Sequence, residues 1–284
     1  MCSLRWRLTG AKRVAAVHDM RVASRRLREA LSLFDEWVDP VAGRKLQWYG
    51  RRVTKALGPV RNADVALRFF GALRKELRDD VERRAIQKIL DRISRSRRKR
   101  RRAMMAAVKN LRLKRLSRDI DVLVAVPEID ESHIRPMLCE LAQPLLRQRL
   151  ESAFQYQAIV RDEPRWEELH RMRIAFKKAR YALEILQPAF GQKYSKILKS
   201  LRGYQNLLGQ IRDLDVFMED LQRVSSRWRE KRKSPTLRTA LEIVVERLTH
   251  RRHNLLVEFC DYLNKHDSAV ILQACDASPG GHPA

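Results

Sequence analysis

Residues 17–31 read VHDMRVASRRLREAL. Wound as a helix at about 100° per residue, they place His18, Arg21, Arg25 and Arg28 on one side. Met20, Ala23, Leu27, Ala30, Leu31 and Phe34 fall on the opposite side. Residues 169–183, LHRMRIAFKKARYAL, repeat the pattern. There His170, Arg173, Lys177 and Arg180 oppose Met172, Ala175, Phe176, Ala179, Leu183 and Leu186. Each helix would bury an apolar stripe and present cations one turn apart, roughly 5 Å. That spacing suits a polymer of phosphates. Arginine offers a planar fork to phosphate oxygens and lysine a point charge. A histidine at the head of each stripe can gain a proton when an anion arrives. Neither stripe holds a nucleophile or a carboxylate partner, so the chemistry is binding and not catalysis. An ordinary basic helix turns such a face to solvent. Two features argue otherwise here: acids are nearly absent from both stripes, and the cation spacing recurs.

More cations follow each stripe. Arg44, Lys45, Arg51, Arg52 and Lys55 crowd around Trp48, and Lys193, Lys196, Lys199 and Arg202 follow the second stripe. LGPVRNADV (57–65) matches LGQIRDLDV (208–216), so Arg61 and Arg212 each follow a Leu-Gly pair, with Asp64 or Asp215 three residues on. An i,i+3 aspartate can fix the arginine's rotamer, or serve as an ordinary helix-start acid. The run Arg95 to Arg102 covers all sides of a helix, so only part of it can meet one ligand. Glu246, His250 and His253 share a helix face, but Arg251 and Arg252 crowd them, and a solvated pair is expected in place of a metal site. No Gly-rich phosphate loop, HExxH or GxSxG occurs, and no cofactor is expected. The Trp and Phe residues fall mostly in apolar stripes and read as core, not as a base-stacking platform.

The elements that must position these residues are helical throughout. Three- and four-residue apolar spacing predicts helices over 11–38, 43–57, 62–78, 80–117, 132–161, 165–187, 193–208, 212–231 and 235–265. Gly58-Pro59 and Gly209 are among the breaks. The expected class is all-α: two pseudo-symmetric helical bundles from an internal duplication. The bundles take residues 1–117 and 132–266, joined by a linker (118–131) and followed by a disordered tail (267–284). The 284 residues carry 60 Lys+Arg against 34 Asp+Glu, a formal charge of +26. Such a surplus repels itself and points to a polyanionic partner. The four cysteines form no CxxC pair. No secretory h-region and no apolar run of membrane-spanning length is present, so a cytoplasmic location with reduced thiols is expected.

The stretches LHRMRIAFKKARYALEIL (169–186) and LKSLRGYQNLLGQIRDLDVF (198–217) closely resemble the second half of CHAD domains, the conserved histidine α-helical domains. VHDMRVASRRLREALSLF (17–34) with LGPVRNADV resembles the first half. The resemblance runs from about residue 11 to 266. It implies two helical bundles with a basic groove or pore, binding of long-chain inorganic polyphosphate, and association with polyphosphate or polyhydroxyalkanoate granules. His18 and His170 match the family's histidines. Arg21, Arg25, Arg26, Arg28, Arg173, Lys177, Lys178 and Arg180 match its basic positions. The chain departs from a symmetric pattern in two ways. Only 17 residues precede His18, so the first repeat has less chain to cover its apolar face. Asn62 stands where the second copy has Asp213, and Lys55 where it has Asn206. No ExExK signature of tunnel triphosphatases is present. A non-specific nucleic-acid-binding protein is the alternative, held by phosphate contacts alone. An enzyme acting on phosphate chains would need a carboxylate cluster, for which only Asp64, Asp213 and Asp215 offer themselves.

Overall fold

The computed structural model describes residues 13–111, 113–124, 131–162, 165–190, 194–230, 232 and 234–276. Among them the regular elements are helices. In chain order these are α1 (Arg13–Leu33), α2 (Pro40–Glu76), α3 (Asp80–Asn110), α4 (Leu113–Val124), α5 (Glu131–Phe154), α6 (Gln157–Asp162), α7 (Trp166–Phe190), α8 (Ser195–Glu230), α9 (Pro235–Lys265) and α10 (Ser268–Asp276). A 3-10 turn, Asp35–Trp37, joins α1 to α2. The all-α class is as the periodicity requires.

Two compact units result: Met1–Ala125 with Val216–Thr249, and Val126–Asp215 with His250–Ala284. One division, between Ala125 and Val126, falls within the expected linker, and two more fall inside α8 and α9, so that residues 216–249 join the first unit. Residues 118–124 of the expected linker are nevertheless helical and belong to the first unit. Residues 113–124 form α4, and its Leu116 is buried in the core of the first unit beside Ala16, Val17 and Met20 of α1 and Met104 and Val108 of α3. This helix thus contributes to the core that the apolar stripe of α1 enters. Its acidic composition has a use as well: Asp119 holds Lys45 at 2.8 Å.

Two expected breaks are not breaks. Gly58-Pro59 lies inside α2, and Gly209 inside α8. A proline within a helix forfeits one hydrogen bond and crowds the preceding turn. Here Leu57 and Val60 on either side of it are buried in the core, which holds the helix through that defect. Capping sets the ends: Asp39 accepts from the Ala42 amide, and Asp79 from the amides of Val81 and Glu82, 2.8 Å each. Glu82 also takes both arms of Arg247 of α9, at 2.9 and 3.3 Å, within the same unit.

The second unit is centred on aromatic packing. Phe176 of α7 stacks on Tyr204 of α8 at 4.5 Å, and Phe154 and Tyr262 meet Tyr204 edge-on. The buried Tyr204 hydroxyl donates to the His266 carbonyl. Part of the expected disordered tail is ordered. Ile271 and Cys275 of α10 are buried, and Gln143 of α5 donates to the carbonyls of Cys275 and Asp276. Residues 277–284 lie outside the described ones.

Leu116→Ala is expected to cost about 2–5 kcal/mol, the range for emptying a core leucine site. Thermal unfolding checks this. A change below about 0.5 kcal/mol, as for an exposed residue, would restore the linker reading of this segment.

Candidate functional site: two basic ladders

The first ladder begins with backbone that lacks side chains. Where α1 crosses α2, a Cβ on Gly50 would stand 2.6 Å from Arg28 Cγ, and one on Gly58 2.7 Å from Arg21 Nη1. These two glycines, eight residues apart on one helix face, let Arg28 and Arg21 lie down across α2. Between them Ser24 and Thr54 pair hydroxyls at 2.9 Å, and Thr54 also donates to the Gly50 carbonyl at 2.9 Å. The Arg21 guanidinium donates to the Thr54 carbonyl at 3.4 Å. Gln47 donates to the Arg28 carbonyl at 3.1 Å.

The expected stripe is thus one side of a ladder, and α2 supplies the other side. At one end His18 lies within the field of Arg61, Arg25 and Arg21. Burial first, and then these cations, hold its imidazole below the ordinary histidine range, with Asp19 opposing. At the other end Arg28 lies near Arg51 and Arg25. Burial first, then those neighbours, lower its affinity for the proton, and Glu29 opposes. Arg28 Nε is buried with no hydrogen-bond partner.

On α7 and α8 in the second unit the histidine-headed row recurs without the glycine contacts, since Gly209, the counterpart of Gly58, has open space at its Cβ. Burial holds His170 below the ordinary range, reinforced by Arg212 of α8 and by Arg173 and Lys177 of α7. Its Nδ1 is buried without a hydrogen-bond partner. Arg212 also lies over the Trp166 ring at 5.1 Å, and Trp166 stands 6.0 Å from the His170 ring. At the far end the ladders differ. Arg180 donates to Glu184 at 3.0 Å, and Arg202 approaches the same carboxylate oxygen at 3.7 Å. Glu184 is nearly buried, its side chain 7% exposed. The first ladder has Ser32 at the corresponding place.

The remaining predicted residues scatter. Arg26, Arg44, Arg51, Lys55, Lys178, Lys196 and Lys199 are exposed. Arg52 is exposed too and sits over Trp48 at 4.7 Å. Lys45 is engaged by Asp119 and carries less charge to a ligand than its position suggested. Lys193 lies outside the described residues. Asp64 pairs with Arg97 of α3, and Asp215 with Arg252 of α9. Those aspartates therefore anchor the following helix to the ladder's second rail, a use beyond steadying Arg61 and Arg212. Phe70, Phe154, Phe176, Phe217 and Phe259 are core as expected, but Trp37, Trp48 and Trp166 are about half exposed. Trp48 stands one turn from Arg52, which covers its ring as core would, whereas the cation over Trp166, Arg212, comes from a helix remote in sequence. Sequence reasoning also missed Glu184 and the role of Gly50. Glu184 falls one turn past the last cation of its stripe, which could have signalled it. His250 and His253 are exposed. Among the described residues no group of three potential metal ligands converges.

An all-α protein with two histidine-headed basic ladders is a narrow class, and sequence comparison names it. The family model of the CHAD domain matches residues 4–222, and the chain belongs to the CHAD domain family. The crystal structure of the CHAD domain from the plant Ricinus communis is similar in fold. Its TM-score is 0.64 at 23% identity, over 97% of this chain and 86% of that one. No curated protein matches the chain.

Two outcomes follow from this geometry. Gly58→Ala must displace the end of Arg21, a flexible group, while the helix gains up to about 1 kcal/mol of propensity. Gly209 has open space at its Cβ. Both alanine variants should therefore fold at least as stably as the parent, and only Gly58→Ala should weaken polyanion binding. Equal binding by both would remove Arg21 from the site. The histidines give a pH dependence. Their folded values lie below the ordinary value of about 6.5, so as pH falls below that value the unfolded chain takes up protons first and stability declines. A bound anion favours the imidazolium and reverses this. Polyanion affinity should rise by roughly several-fold as pH falls from about 7.5 to about 5.5. His18→Gln/His170→Gln should flatten that profile in a binding titration, whereas a parent profile already flat would remove both histidines from the site.

Proposed function

We propose that this chain is a binding module for long-chain inorganic polyphosphate, held along the two ladders, and not an enzyme. The observation that carries this reading is the recurrence, in each unit, of a partly buried histidine at the head of a cation row, beside an arginine from the neighbouring helix. A cluster of mutually repelling, partly buried cationic groups gains most from an incoming anion, because the anion relieves every repulsion at once. Successive rungs one turn apart meet successive phosphates of one polymer. The parallel ladders also support reading the two sequence matches as a duplicated unit. A cytoplasmic place, at polyphosphate or polyhydroxyalkanoate granules, fits this reading. Among the described residues no helix is long and apolar enough to cross a membrane.

One observation favours nucleic acid as the second reading. Trp48 with Arg52, and Trp166 with Arg212, are exposed aromatic–cation pairs on which bases could stack. Competition at about 0.15 M salt separates the two, since screening at that strength suppresses loose surface attraction. Labelled long-chain polyphosphate is challenged with duplex DNA, single-stranded DNA, heparin and short polyphosphate, using the parent and Arg21→Ala/Arg173→Ala. Only long polyphosphate should compete, and the double variant should lose at least about tenfold in affinity, the loss of one charge-assisted contact in each ladder. Equal competition by DNA and heparin would reduce the +26 surface to a general polyanion binder. Orthophosphate release with added magnesium or manganese would make it an enzyme.

A further inference from the structure

The first unit holds a cavity of about 320 Å³ between α2, α3 and the later part of α8, lined by none of the residues assigned to the ladders. Its floor is apolar and aromatic. Phe70 and Phe217 are almost fully buried, their rings 5.2 Å apart, and Phe69 stacks on Phe217 at 4.4 Å. Its rim is cationic, with Arg92, Arg100 and Arg223 all contributing to the lining. Asn62 and Ser96 add an amide and a hydroxyl.

We propose that this cavity binds a nucleoside phosphate, with the base against the phenylalanine floor and the phosphates among the three arginines. The volume falls at the small end of known ligand pockets, where a mononucleotide fits and a polymer does not. An acyl carboxylate would use the floor and one arginine but leave the other two, Asn62 and Ser96 idle. A bare phosphate or pyrophosphate would use the rim and leave the floor idle. A nucleoside phosphate uses all of them. The rim is also built for an anion. Asp220 fixes Arg223 at 2.8 Å, leaving the rest of its fork available. Arg92 holds its proton less firmly than usual, first because it is buried and then because Arg227 and Arg223 stand near, with Asp220 opposing. Three arginines around one partly committed carboxylate leave a net positive cavity over a low-dielectric floor, where an anion's attraction is strongest.

The test titrates N-methylanthraniloyl-ADP into the full chain at about 0.15 M salt, near physiological screening, followed by fluorescence. Binding should saturate at one per chain and be displaced by unlabelled ADP, with pyrophosphate at least tenfold weaker as a competitor. Arg92→Met, and Ser96→Phe as an independent variant that fills the cavity, should each weaken the labelled nucleotide tenfold or more. Polyphosphate affinity of both should stay within twofold of the parent, since neither residue belongs to a ladder. Far-UV circular dichroism confirms that the helices persist. Pyrophosphate competing as well as ADP overturns the proposal, as does octanoate displacing the label where ADP does not. It is overturned equally if nucleotide binding survives both cavity variants, or if it is lost in Arg21→Ala/Arg173→Ala. Polyphosphate binding is scored on the same proteins, so failure of the ladder reading and failure of the cavity reading give different results.

Discussion

In the first ladder two arginines lie down across the neighbouring helix where that helix carries no side chain, at Gly50 and Gly58, eight residues apart. The rest of the first ladder follows from that close approach. It brings the Ser24 and Thr54 hydroxyls within hydrogen-bond distance and sets Arg21 against the Thr54 carbonyl. It draws His18 into the field of Arg61, and Arg28 into that of Arg51. Cations gathered this way are partly stripped of water and repel one another, an arrangement that costs stability in the empty protein. Apolar packing elsewhere must offset that cost. In the first unit α4 and the end of α3 close over the apolar stripe of α1, and in the second the Phe176–Tyr204 stack does the equivalent work. Function and packing thus divide each ladder helix lengthwise: one side is closed and apolar, the other crowded with charge.

Helical periodicity was enough to read the all-α class, the apolar stripes and the cation rows, because a row of residues three and four apart has one physical meaning on a helix. Local signals failed where tertiary packing overrode them. Gly58-Pro59 has the composition of a turn, yet burial of Leu57 and Val60 carries α2 through it, and the glycine serves Arg21 instead. The acidic stretch near residue 119 resembles a linker because its carboxylate is needed 74 positions earlier in the chain, at Lys45. Residues 268–276 resemble a tail because the groups that hold them, Gln143 and Tyr194, are equally remote in sequence. In each case the partner was distant, and one sequence contains no record of such pairings. The rungs supplied by α2 and α8 were legible as residues but not as neighbours: Arg61 and Arg212 were singled out for their aspartates, while the aspartates went to Arg97 and Arg252.

The two ladders share a plan but not a charge. Arg180 and Arg202 converge on Glu184, a carboxylate almost removed from water, where the field between charges is least screened. Ser32 stands at that place in the first ladder, and the Nε of Arg28 there is buried without a hydrogen-bond partner. Lys55 adds a cation to the first ladder's rail where the second has Asn206. On the polyphosphate reading these differences act in one direction. The Nε of Arg180 is buried without a hydrogen-bond partner as well, so the difference lies in the carboxylate: a phosphate reaching Arg180 must compete with Glu184 already in place. Exchanging one anion for another returns little free energy. The first ladder is then the stronger grip. Trp166, which adds an exposed ring beside Arg212 and His170, gives the second a means of contact that does not depend on charge alone.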